Sequence, residues 1–239
     1  MVHHLVMLTS LLPGFRHVRT PFVVGTLCAF QVWMLFGGLI PDRSEAQGLM
    51  KRIYAIGDSF GRPAVTAFIA FALYLLGDML KLSARNLAGR INRAKPSMRT
   101  ALLTRDSYRE LHLYAEGLRA RAGDSFDLMV TMTALIREFP EVRMRLIANN
   151  LDVYSEQDRF DSEADFRINI AVYSVPLWVI LAALWSPWFL FGLSTSMILY
   201  LNGFQALRAA NGVIMQSLAS GIVESHVHAE GGHHPHSHP

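Results

Sequence analysis

The chain has 239 residues, of which 51% are hydrophobic and 17% charged, with a formal net charge of +3 and one cysteine. Soluble domains carry about 25% charged residues, so this balance points to a membrane protein. The isoelectric point near 9.2 comes from Lys and Arg set beside apolar runs, where they serve orientation; nucleic acid is not implied as a partner.

Residues 1–20 mix Leu5, Val6, Leu8, Leu11 and Leu12 with His3, His4, Arg16, His17 and Arg19. The arginines follow the apolar residues, the reverse of a secretory signal. This predicts a short interfacial segment broken at Pro13-Gly14. No charge interrupts residues 20–41, which predicts a first span over 21–40. Gly25 and Ala29 form a small-residue pair that lets another helix come close. Cys28 lies in this run as an inert thiol, without a partner for a disulfide or a CxxC metal motif. Residues 42–62, with Arg43, Lys51, Arg52 and Arg62, read as a polar loop. Pro63 suits a first helical turn, and a second span runs from it to about Leu80, so that 21–82 forms one transmembrane hairpin.

Beyond span two come Lys81, Arg85, Arg90, Arg93, Lys95 and Arg99. This asymmetry places residues 81–167 and both termini in the cytoplasm of a multi-pass inner-membrane protein. The same six residues are candidate ligands for anionic lipid headgroups, with topology alone as the alternative reading. Residues 83–167 read as a helical cytoplasmic insert. Tyr108, Leu111, Ala115, Leu118 and Ala122 recur at the spacing of one helix face. Gly123 is expected to stop that helix and Asp124 or Ser125 to cap the next, which runs to Phe139. Pro140 then opens a third helix through about Leu151. The acidic run Glu156, Asp158, Asp161, Glu163 and Asp165 lacks the turning glycine of a calcium loop and reads as a solvated helix leading into span three.

Residues 168–207 contain no Asp, Glu, Lys or Arg. One helix needs only about 20 residues to cross, so two crossings fit, 168–186 and 188–207. Trp185-Ser186-Pro187-Trp188 supplies the turn, since proline cannot extend the preceding helix and tryptophan favours the headgroup level. On the fourth span Ser194, Thr195, Asn202 and Gln205 share an arc about 100° wide, opposite Ser196, Tyr200 and Gly203. Lipid offers no hydrogen bonds, so this face points at protein or water. It lines a pore built from several copies, or it bonds helices inside a bundle; both readings stand. Residues 208–225 extend as a cytoplasmic helix. The tail 226–239 holds six histidines among Gly, Pro and Ser and is expected to be disordered, with only weak, adventitious affinity for metal.

No GxSxG, HExxH, P-loop or GxGxxG motif stands in a strand–helix setting, and His112 has no evident nucleophile to serve. No enzyme and no cofactor is expected.

The segments Ala72-Leu73-Tyr74-Leu75-Leu76-Gly77 and Asp158-Arg159-Phe160-Asp161-Ser162-Glu163-Ala164-Asp165-Phe166-Arg167, with the two-plus-two layout, resemble uncharacterised bacterial four-span membrane proteins. The layout is also similar to that of four-span effectors predicted to form pores in anti-phage defence. The first resemblance implies no activity, and the second carries over no residue. The resulting expectation is an all-α protein of four transmembrane helices in two hairpins around the insert. It acts as a homo-oligomeric pore gated through the insert by a protein or small-molecule signal, or as an adaptor subunit of a larger membrane assembly.

Overall fold

The computed structural model describes residues 13–94, 103–122 and 127–227, and among these the chain is all-helical, with no strand. Seven α-helices follow one another: α1 Pro13–Phe36, α2 Gly48–Leu80, α3 Ala84–Ala94, α4 Arg105–Ala122, α5 Leu128–Asn149, α6 Leu151–Leu184 and α7 Gly192–Ala219. Short 3-10 turns at Gly37–Leu39 and Pro187–Phe191 follow α1 and precede α7.

Three stretches are long and apolar enough to cross a membrane: Arg16–Leu39, Gly48–Ala88 and Leu151–Leu184. They support a membrane-embedded protein. The expected fourth span falls on α7, which is not among these three. Its Ser194, Thr195, Asn202, Gln205 and Arg208 lower the apolar character that its Leu and Ile residues provide.

Several boundaries differ from the sequence expectation. Pro13-Gly14 lies within α1, which continues through Arg16, Arg19 and Pro21 into the apolar run, while residues 1–12 of the expected interfacial segment lie outside the described residues. Residues 42–62 are not a loop throughout, because α2 starts at Gly48 and bends at Gly61, whose φ of 74° and ψ of 162° are non-helical. Pro140 does not start a third helix; α5 passes through it to Asn149. Internal proline is unfavourable, yet Leu135, Phe139, Val142 and Leu146 on either side of it are all buried, and that burial holds the helix together. The cap of α5 is Asp127, whose Oδ1 accepts from the Met129 N–H at 2.9 Å. The expected signals Gly123, Asp124 and Ser125 lie outside the described residues.

The chain divides into two compact units. The first comprises the described residues up to Ser83 together with Asp165–Gly203. Here α1 and α2 meet through glycines. A methyl group built on Gly25 would overlap the Leu73 carbonyl, and one on Gly77 would overlap the Pro21 carbonyl, so only hydrogen fits at either position. Polar side chains tie helices to backbone: Gln31 Nε2 donates to the Tyr173 carbonyl at 2.6 Å, and the Tyr173 hydroxyl donates to the Leu80 carbonyl. Asn169, fully buried, accepts from the Leu82 N–H at 2.8 Å and donates to the Leu82 carbonyl at 2.7 Å. It thereby satisfies backbone groups just past the end of α2.

The second unit comprises Ala84–Ala164 and the described residues from Phe204 onward. It contains the hydrophobic core, in which Leu111 and Ala115 of α4, Leu135, Val142 and Leu146 of α5, and Ile214, Met215 and Leu218 of α7 are shielded from solvent. Leu111 and Ala115 belong to the stripe read from the sequence; Tyr108 and Leu118 pack against the core at its edge.

Candidate functional site

The polar face of α7 is fixed by how the helix begins. Ser186 is extended and Pro187 opens the 3-10 turn, which separates α7 from α6 at the tryptophan pair. Trp185 and Trp188 are exposed; the Trp188 ring stacks on Phe191 with centroids 5.5 Å apart. Immediately afterwards Gly192 lies against the Trp178 ring so closely that a methyl group there would overlap it. Ser196, 3% exposed, shares a 2.7 Å hydrogen bond with Ser174 and accepts from Trp178 Nε1 at 3.0 Å. These contacts set the rotation of α7 about its own axis. Ser196, Gly203, Ala206 and Ala210 are turned inward.

The opposite side therefore faces away from the chain. Ser194, Thr195 and Gln205 are exposed and Asn202 is half-buried. The same side carries exposed Ile198 and Leu201. Sequence periodicity grouped the four polar residues on one arc, and the structure brings them onto one helix face. Among the described residues, none covers Ser194, Thr195 or Gln205, which stay exposed.

The six basic candidates do not behave alike. Lys81 is half-buried just after α2, and Arg90 of α3 is exposed. Arg85 is engaged elsewhere, its Nε donating to Asp161 Oδ1 at 2.8 Å and Oδ2 at 3.1 Å. Arg143 joins this pair, reaching Asp161 Oδ2 and Asp158 Oδ1, both at 3.1 Å. Burial opposes the Arg143 charge, but Asp161, Tyr154 and Asp158 outweigh it and hold its pKa above the ordinary value. The acidic run is thus not simply a solvated face, since Asp158 and Asp161 are half-buried ion-pair acceptors. Arg93 lies on α3, while Lys95 and Arg99 lie outside the described residues.

A polar cluster that sequence reading missed centres on Glu138 of α5, which is 7% exposed. Its carboxylate accepts from Ser225 Oγ at 2.6 Å and from the His226 N–H at 2.8 Å, and Arg145 pairs with it. Burial would raise the Glu138 pKa, but these donors together hold it below the ordinary carboxylate value. The arrangement latches the segment after α7 onto α5. The signal was available: Glu138 falls three residues after Leu135 and four before Val142, on the apolar face.

His112 and Glu116 approach to 3.4 Å on the exposed side of α4, and among the described residues no group of three metal-binding side chains gathers. The histidines beyond residue 227 lie outside the described residues. Comparison with protein-family models, curated proteins and solved structures finds no match to this chain.

Proposed function

We propose that the chain self-assembles in a membrane, with α7 as a fourth crossing, into a weakly selective pore lined by Ser194, Thr195, Asn202 and Gln205. The observation that supports this is the outward direction of that face. Polar side chains left against hydrocarbon find no hydrogen bonds, so neighbouring copies or water must cover them. The face holds no Asp, Glu, Lys or Arg, so the path has no ring of fixed charge to select strongly among ions. The Lys and Arg excess after span two supports a cytoplasmic second unit and cytoplasmic termini, which would leave the helical insert open to a protein or small-molecule signal.

A second reading rests on Ile198 and Leu201, which share the polar face. Apolar and polar residues interleaved in this way suit a dry helix–helix contact, as in an adaptor subunit. Conductance of the purified chain in planar bilayers separates the two. The pore reading expects current that falls in Asn202→Leu and Gln205→Leu while the oligomer persists. Absence of current from an intact oligomer, or loss of the oligomer in both variants, favours the adaptor.

A further inference from the structure

The first part of α2 is not part of a straight span. At 1.5 Å per residue the whole of Gly48–Leu80 would be about 50 Å long, well beyond the ~30 Å hydrocarbon layer. Residues 63–80 alone measure about 27 Å, which suffices. The break between the two parts is built in: Gly61 has a left-handed φ of 74°, which favours glycine, and Pro63 restarts the helix.

Residues 48–60 are strongly two-sided. At 100° per residue Leu49, Ile53, Ile56 and Phe60 fall within about 60° of one another, whereas Lys51 and Asp58 lie opposite and Arg52 flanks the apolar edge. All four apolar side chains are exposed, Leu49 by 73% and Phe60 by 69%. The bend sets this apolar face beside the start of the next helical segment. Ile53, Ile56 and Phe60 on one side and Val65, Phe68 and Ile69 on the other line a notch of about 700 Å³. A methyl group on Gly57 would fit without overlap, meeting only Val65 Cγ2 at 3.9 Å, so this lining position has room for a larger side chain.

We propose that residues 48–60 lie in the plane of the membrane surface and that the notch takes an acyl chain of an anionic phospholipid. Three features choose this occupant. The apolar face continues directly into the candidate span 63–80, so it lies at the depth where a bilayer begins. Lys51, Arg52 and Arg62 are exposed on the same short segment, and they match an anionic headgroup. Asp58, the acid of this helix, is already paired with Arg43, which leaves the local surface positive. An amphipathic helix with basic residues and large apolar side chains is the form that binds such an interface. The inference holds whether or not the chain forms a pore.

The test uses the full chain with phosphatidylglycerol and phosphatidylcholine of equal chain length. Native mass spectrometry should show retained phosphatidylglycerol in preference to phosphatidylcholine. One basic residue near an anionic surface is worth about fivefold in affinity, so Lys51→Gln with Arg52→Gln should reduce that preference roughly tenfold or more. Gly57→Leu, which fills the notch, should release both lipids equally. In vesicles of the same lipids, single cysteines at 53 and 56 in a Cys28→Ala background should resist a water-soluble maleimide that modifies 51 and 55 readily. Equal labelling at 53, 56, 51 and 55 would overturn the proposal by leaving the face in water. Rapid disulfide cross-linking between copies at position 56 would overturn it in favour of a second chain. Unchanged lipid retention in Gly57→Leu would remove the notch as the acyl-chain site.

Discussion

The two units of this protein differ in where their large apolar side chains point. In the second, large aliphatic side chains such as Leu111, Leu135, Leu146, Ile214 and Leu218 are inside, and ion pairs such as Arg143–Asp158 lie nearer the surface. In the first, many large apolar side chains point outward, Phe68 by 72% and Met79 by 86%, while Asn169, Gln31, Ser174 and Ser196 are buried. The second unit gathers large aliphatic side chains of α4, α5 and α7 into one core. The first is organised for hydrocarbon, where apolar surface gains nothing by hiding and unsatisfied polar groups must be enclosed. Its helices consequently meet through Gly25, Gly77 and Gly192, where close backbone or ring contact replaces a hydrophobic driving force.

That contrast can be broken most severely in the core of the second unit. Leu111→Asp puts an ionised group into a fully buried site, and truncation of such a leucine alone costs about 2–5 kcal/mol. The helical insert should lose its cooperative melt and become protease-sensitive, while the chain still inserts into membranes. Phe68→Ala in the first unit removes a larger side chain and should leave melting almost unchanged. A comparable loss from both would erase the distinction between the units.

Smaller changes sharpen it. Gly77→Ala forces a methyl group against the Pro21 carbonyl, and overpacking of this kind costs about 1–3 kcal/mol. Cross-linking between α1 and α2 should weaken in that variant. The Glu138 latch gives a pH-dependent effect of the opposite unit. Its carboxylate has a lowered folded-state pKa, so its stabilising contribution is complete above the ordinary carboxylate value of about 4.3 and disappears as pH falls through the lower folded value. Acidification into that window should release the segment around Ser225, detected by limited proteolysis. Glu138→Gln should flatten the pH dependence. The smallest effect belongs to Gly117 of α4, where an added methyl group meets open space; Gly117→Ala should raise the melting temperature of the second unit, by about 0.5–1 kcal/mol of stability.

What the sequence made legible follows the same division. Long uncharged runs disclosed the three membrane stretches, because length and composition suffice for hydrocarbon. Trp185-Ser186-Pro187-Trp188 marked a turn by local chemistry, and the three-four spacing around Leu111 marked a buried stripe. Contacts between residues far apart in the chain were hidden. Gly25 was noticed as half of a local pair with Ala29, but the closest backbone approach involves Gly77, whose position no local pattern indicates. Arg85 read as a headgroup ligand because the local run is basic; Asp161, which binds it, comes much later. The helical part of residues 42–62 was obscured because Arg43, Lys51, Arg52 and Arg62 outweighed the periodicity of Leu49, Ile53, Ile56 and Phe60. Pro140 read as a boundary because propensity was considered without the burial on both sides of it.

The central claim is that the outward face of α7 meets water within a membrane assembly. Single cysteines at 194, 195, 202 and 205, in a Cys28→Ala background, address it directly, with position 197 as an exposed apolar control on the same helix and 203 as a buried one. In liposomes containing the active oligomer, a small water-soluble thiol reagent should modify the four polar positions and spare 197 and 203. Protection at 194, 195, 202 and 205 equal to that at 197 would contradict the claim and leave α7 without a hydrated path.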